Sequence, residues 1–173
     1  VSIIGTGTWG IALGMVLAQN GHEVTAWSAL PKEIEALKES YKCKNLPGVE
    51  IPRSIVFTAD LQEACTDKEM LVLSVPSVFT RGVAKQMNPF IKEGQLIVSV
   101  AKGIEEKTLM TMSQQIEQEL PMANVAVLSG PSHAEEVSRG IPTTVVVGAK
   151  DRQTAEHIQN LFMSSVFRVY TSP

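Results

Sequence analysis

A chain of 173 residues, 44% apolar and with a formal charge of −3, is long enough for one domain with a full core. That balance excludes a nucleic-acid binder built on a basic stripe and a disordered acidic tail, and no apolar run approaches the length of a bilayer span. Cys43 and Cys65 are too few for a disulfide framework and too isolated for a metal site, so reduced thiols in a cytoplasmic setting are expected.

Val1–Gly5 opens the chain as a short β-branched strand and leads straight into a helix expected from Thr8 to Asn20. No signal peptide precedes that strand, and the start at Val1 and the stop at Thr171-Ser172-Pro173 both read as cuts through a longer protein. His22–Trp27 reads as a second strand, and Pro31 opens a charged helix to about Ser40. Lys42 to Arg53 carries Pro47, Gly48 and Pro52 and is expected as a loop. Ile55–Thr58 is a short strand, Ala59–Cys65 a short helix, and Met70–Val75 a continuous buried strand. Ser77 can cap a helix to about Met87, followed by a strand at Gln95–Val100 and a helix at Glu106–Glu119. Asn124–Leu128, Thr143–Val147 and Phe167–Tyr170 read as strands, separated by helices at Ser132–Arg139 and from an Asp151 cap to Met163. Strands alternating with helices at this spacing predict an α/β fold, a Rossmann-like doubly wound and mostly parallel sheet with helices on both faces. Ligands of such sheets bind beyond the strands' carboxyl ends, which points to the loops at Gly5–Gly10, Trp27–Leu30, Val75–Ser77, and after Val100 and Leu128.

The segment Gly5-Thr6-Gly7-Thr8-Trp9-Gly10 has the G-x-G-x-x-G form, with a strand before it and a helix after it. A dinucleotide pyrophosphate needs a tight turn at Gly5, a bare backbone at Gly7, and close helix–strand packing at Gly10. The helix start then offers unpaired N–H groups and a positive dipole end. Trp9 either plugs the sheet edge or flanks the ligand with its backbone N–H. At the end of the second strand stands Trp27-Ser28-Ala29-Leu30, neither the acid of an NAD site nor the cation of an NADP site. Ser28 can bond a ribose hydroxyl, although a solvated loop serine is the simpler account. Lys102, after a strand and beside Gly103, either reaches a bound anion as a point charge or is a solvated loop lysine. Ser132 and Glu135 have capping-box spacing, and a helix start at a strand's carboxyl end also suits an anion or hydroxyl, so capping and binding are compatible. His133 has no nucleophile or orienting carboxylate spaced to serve it, and His22 and His157 form no ligand pair, so neither a histidine relay nor metal chemistry is expected.

In combination these pieces resemble the N-terminal domain of bacterial NAD(P)-dependent sn-glycerol-3-phosphate dehydrogenases. The matching segments are collinear: the glycine fingerprint, Asn20-Gly21-His22-Glu23-Val24, Leu46-Pro47-Gly48, Val75-Pro76-Ser77, Ala101-Lys102-Gly103-Ile104-Glu105, Leu128-Ser129-Gly130-Pro131-Ser132-His133-Ala134-Glu135-Glu136, and Phe167-Arg168-Val169-Tyr170. The fingerprint is common to many families; the lysine-glycine and serine-glycine-proline-serine pieces are far more specific. The resemblance implies that residues 1–173 form a dinucleotide-binding domain for NAD or NADP. The reaction implied is reversible hydride transfer between NAD(P)H and dihydroxyacetone phosphate, giving sn-glycerol 3-phosphate for phospholipid synthesis. It implies coenzyme contacts from Thr8, Trp9, Lys102 and Ala134, and substrate contacts from Lys102, Gly130 and Ser132; with Gly5, Gly7, Gly10, Ser28, Ala29, Val75 and Pro76, those coenzyme contacts make up the expected coenzyme site. No catalytic residue is expected within the chain, because the family's general-acid lysine comes from a helical domain after Pro173. The isolated domain is therefore expected to bind nucleotide weakly and to turn over negligibly, and the full-length protein to be a cytoplasmic homodimer. Ala29 departs from the family's usual Arg or His, which leaves the coenzyme choice open. A related two-domain dehydrogenase of the 6-phosphogluconate or hydroxyacyl-CoA type, and a non-catalytic dinucleotide sensor, are the competing readings. The specific segments argue against the first. The second lacks a ribose-binding acid after the second strand.

Overall fold

A computed structural model describes residues 1–172. Strand β1 (Ser2–Ile4) is followed by α1 (Thr8–Gln19), β2 (Thr25–Trp27), α2 (Pro31–Ser40), β3 (Val56–Thr58) and α3 (Leu61–Cys65). Then come β4 (Met70–Leu73), α4 (Thr80–Met87), β5 (Leu96–Ser99), α5 (Met112–Glu119), β6 (Asn124–Ser129), α6 (Ala134–Ser138), β7 (Thr143–Gly148), α7 (Arg152–Phe162) and β8 (Phe167–Ser172). The strands make one eight-stranded sheet in the order β3-β2-β1-β4-β5-β6-β7-β8. Every pairing is parallel except β6 with β7. The chain leaves β1 toward β2 and β3 and returns to β4 on the other side, so the switch point lies between β1 and β4.

The central strands are apolar without alternation because helices cover both faces. Successive residues serve opposite layers: Ile3, Val72 and Val98 join the core under α1, α6 and α7, and Ile4, Leu71 and Ile97 join the one under α4 and α5. Strand β7 instead alternates, with Thr143, Val145 and Val147 buried and Thr144 and Val146 exposed, as expected of a strand covered on one face only. Among the described residues, no helix is long and apolar enough to cross a membrane.

Helix starts are where expectation and structure part. The Asp151 cap forms, its carboxylate accepting from the Thr154 N–H at 2.7 Å. The helix expected from Glu106 begins only at Met112. Residues 105–110 close a turn through the Glu105–Met110 and Leu109–Glu105 backbone bonds, and Leu109 takes a left-handed φ of 59°. Thr111 and Gln114 then form a capping box, a pairing visible in the sequence but placed there inside a helix. Ser77 caps nothing: Ser77–Phe79 is a single 3-10 turn leading into α4, with no side-chain cap at either start.

Candidate functional site

At the carboxyl ends of β1, β4 and β5, a groove of about 470 Å³ runs between the first turn of α1 and the start of α6. Gly7, Thr8 and Trp9 line one side, Val75, Pro76 and Lys102 the floor and far side, and Ser132 and Ala134 the end. Eight of the residues singled out from the sequence therefore meet here, although they come from four separate segments.

The glycine wall is fixed by contact distances. Gly5 has φ +121°, a backbone region that side chains avoid, and a Cβ there would lie 2.9 Å from the Val75 nitrogen. At Gly10 a Cβ would fall 2.1 Å from the Gly5 carbonyl oxygen, so only glycine lets α1 press against the turn. Gly7 differs: nothing lies within 4 Å of where its Cβ would be, and the open space faces the groove. Ser74 ties β4 to this wall, its hydroxyl donating to the Gly5 carbonyl at 2.9 Å. The sequence carries no signal for that serine beyond its place at a strand end.

Helix α1 starts at this wall with Gly7 as N-cap, no side-chain cap, and no acidic residue in its first turn. Its leading N–H groups are thus available to an anion, and the helix's own first turn brings no carboxylate to them, although Glu135 lines the groove from α6. Beneath, Thr6 is 4% exposed, and its buried hydroxyl has no hydrogen-bond partner among the described residues. An open glycine, an uncapped helix start and a spare hydroxyl together fit a dinucleotide pyrophosphate. Half-buried Trp9 both packs on the core and lines the groove.

The opposite wall centres on the Gly130 carbonyl, which accepts from Lys102 Nζ at 2.9 Å, the Ser132 N–H at 3.0 Å and the Ser132 hydroxyl at 3.4 Å. The expected Ser132–Glu135 capping box is absent: α6 starts one residue later than that box requires, His133 is its N-cap, and no side chain caps it. The serine hydroxyl turns back to Gly130 instead. A Cβ on Gly130 would lie 2.8 Å from the Thr144 carbonyl oxygen, so the loop rests on β7.

Lys102 sits on a loop that Arg81 clamps. The Arg81 guanidinium donates to both oxygens of Glu105 at 2.8 Å, and to Glu119 at 2.7 Å and Gln118 at 2.6 Å. This bidentate pairing, together with the Thr108 hydroxyl, holds the Glu105 carboxyl down at about 2. Sequence reasoning passed over Arg81, since a partner 24 residues away leaves no local spacing.

Ser28 and Ala29 lie outside the groove lining, at the end of β2. Ser28 is no solvated loop serine: it is 7% exposed, and its hydroxyl donates to Glu33 Oε2 at 2.6 Å while accepting from the Leu30 N–H at 3.2 Å. A second groove, of about 440 Å³, opens at the amino ends of β5 and β6 beside Lys68, Glu69 and His157, and has no glycine wall.

A doubly wound sheet with a glycine turn at its switch point places the chain in the Rossmann-like class of nucleotide-binding folds. The family model described as the NAD-dependent glycerol-3-phosphate dehydrogenase N-terminus matches residues 1–155, and the chain belongs to that family. A protein of Agathobacter rectalis named glycerol-3-phosphate dehydrogenase (NAD(P)+) is 60% identical over 100% of this chain and 52% of its own length. A Fusobacterium nucleatum protein of the same name is 52% identical, again over 100% and 52%. The crystal structure of glycerol-3-phosphate dehydrogenase from Coxiella burnetii superposes with a TM-score of 0.93 at 28% identity, over 99% of this chain and 53% of that one. The chain thus spans about half the length of the relatives it matches.

Proposed function

We propose that this chain is the coenzyme-holding domain of a glycerol-3-phosphate dehydrogenase, with NAD(H) or NADP(H) in the groove and dihydroxyacetone phosphate or sn-glycerol 3-phosphate at its open end. The observation that carries the reading is the uncapped, acid-free start of α1 behind Gly7, facing a lysine across the same groove. When bound, the coenzyme supplies or accepts the hydride. The chain's residues hold and orient. The α1 N–H groups and bare Gly7 take the pyrophosphate, with Thr8 and Trp9 beside it. Val75 and Pro76 form an apolar floor that keeps water from the reacting face, and Ala134 closes the end without bulk. The Lys102 ammonium, steered by the Gly130 carbonyl, presents positive charge where substrate oxygen gains negative charge, and the Ser132 hydroxyl lies beside it. The resemblance supports a general-acid lysine supplied by a helical domain of the full-length enzyme. Family membership favours this reading over the related dehydrogenases and over a sensor. The resemblance supports a cytoplasmic, homodimeric working form with small molecules as its partners.

Trp9 reports on the groove, because the other tryptophan, Trp27, is buried with its indole N–H on the Ala59 carbonyl. Titration of the chain with NADH is expected to quench tryptophan emission saturably. In the enzyme that carries this domain, Lys102→Met is expected to lower kcat/KM for dihydroxyacetone phosphate by roughly a hundredfold or more. No saturable quenching up to millimolar NADH would refute the coenzyme assignment.

A further inference from the structure

We infer that Glu33 is the residue that reads the adenosine ribose and makes this domain prefer NAD(H) to NADP(H), an inference that rests on the coenzyme assignment above. The residues that follow β2, Ser28-Ala29-Leu30, contain neither acid nor cation. The fold supplies the missing charge from the first turn of α2. Gly5 donates its N–H to the Trp27 carbonyl, so the end of β2 lies directly beside the glycine turn. Ser28 follows Trp27, and its hydroxyl holds Glu33 Oε2 at 2.6 Å, anchoring that carboxylate at the strand's carboxyl end. Glu33 is half-buried, and among the described residues it enters no ion pair that would neutralise it.

The same turn occurs once more, one strand outward. At the end of β3 the Thr58 hydroxyl donates to Glu63 and accepts from the Asp60 N–H, as Ser28 does with Glu33 and Leu30. That repeat shows that the turn has a structural job needing no ligand: it joins a strand end to a helix start. Position separates the two copies. Strand β2 borders β1 and its glycine turn, whereas β3 is the edge strand. Only the inner copy lies where the ribose of a coenzyme seated on α1 falls in doubly wound sheets. There a carboxylate accepts hydrogen bonds from the ribose hydroxyls, while a 2′-phosphate would lose the donor and bring like charge against it. Ala29 and Leu30 offer nothing to offset that repulsion.

The test is a pair of titrations of the chain with NADH and NADPH by tryptophan fluorescence, repeated by calorimetry with ADP-ribose and its 2′-phosphate. NADH is expected to bind roughly tenfold to a hundredfold more tightly than NADPH. Glu33→Gln, which can still accept from Ser28, should bring the ratio to within about threefold. Glu63→Gln should leave the ratio as it was, although it disturbs an equivalent turn. Without any substitution, raising salt should narrow the ratio, because repulsion between the carboxylate and the phosphate is screened. Equal or tighter NADPH binding, as a role for exposed Lys32 on the same turn would produce, overturns the inference and leaves the coenzyme groove standing. So does a ratio unmoved by both Glu33→Gln and salt. Failure to bind either nucleotide takes both proposals down together.

Discussion

The glycine wall of the groove is backbone packed on backbone, whereas the wall that carries Lys102 is a loop clamped by one guanidinium. On the first side Gly5, Gly10, Ser74 and Val75 approach so closely that no side chain could be added. On the second, Arg81 joins Glu105 to Glu119 and Gln118 across a partly exposed surface, with roughly a quarter of each ion-paired side chain open to solvent. The first wall is set by steric exclusion, which neither salt nor pH relaxes. The second is set by charge, which both do. A rigid cradle, proposed for the coenzyme, therefore faces an adjustable mount for the lysine proposed to meet the substrate.

The sharpest way to break this contrast is Gly10→Ala. Its methyl would sit 2.1 Å from the Gly5 carbonyl oxygen, and neither β1 nor α1 can yield without disturbing the core. A loss of about 3 kcal/mol or more is expected, read as a fall of roughly 6–12 °C in Tm. A smaller fall would mean that the helix is less firmly seated than these distances imply.

Acid should act on the other wall. The Glu105 carboxyl titrates at about 2 in the folded chain, depressed from an ordinary 4.5. A depressed carboxylate contributes stability that is present above its unfolded pKa and is lost as pH falls toward its folded one. The contribution of the Arg81 clamp should therefore disappear between about pH 4.5 and about pH 2. Asp151 shares the direction, held low by the Thr154 N–H and hydroxyl, so the informative quantity is the difference between wild type and Arg81→Gln. Hydrogen exchange at the Glu105 and Leu109 amides, both bonded within the clamped turn, should be faster in the variant at neutral pH and converge with wild type in acid. Equal exchange rates in the two proteins at neutral pH would show that the loop needs no clamp.

The smallest effect on folding is expected at Gly7→Ala. The residue has φ −63° and open space at the Cβ position, so stability should change by no more than about 0.5 kcal/mol. Coenzyme affinity should nonetheless fall roughly tenfold, because the methyl occupies the approach to the helix start. A variant that binds NADH as well as wild type would place the pyrophosphate elsewhere. Glycines three residues apart would then part company: one substitution disrupts the fold, the other the binding.

Several features were legible from the chain alone because they arise from contacts between near neighbours. Strand–glycine turn–helix at residues 1–20, the Asp151 cap, and the alternation that builds a parallel sheet all follow from local sterics and periodicity. Local spacing misled where a competing partner was available. Ser132 had the spacing for a capping box, yet the Gly130 carbonyl took its hydroxyl, and the helix expected from Glu106 starts only after the left-handed Leu109, at the Thr111–Gln114 capping box. What only the tertiary structure decided was the company each residue keeps. It brought Lys102 to Gly130 and Arg81 to Glu105, and set the locally formed Ser28–Glu33 turn beside the glycine turn of β1. Hydrogen bonds and ion pairs depend on distance in space, and distance in space between segments far apart in the chain is fixed only when the sheet closes its strand order.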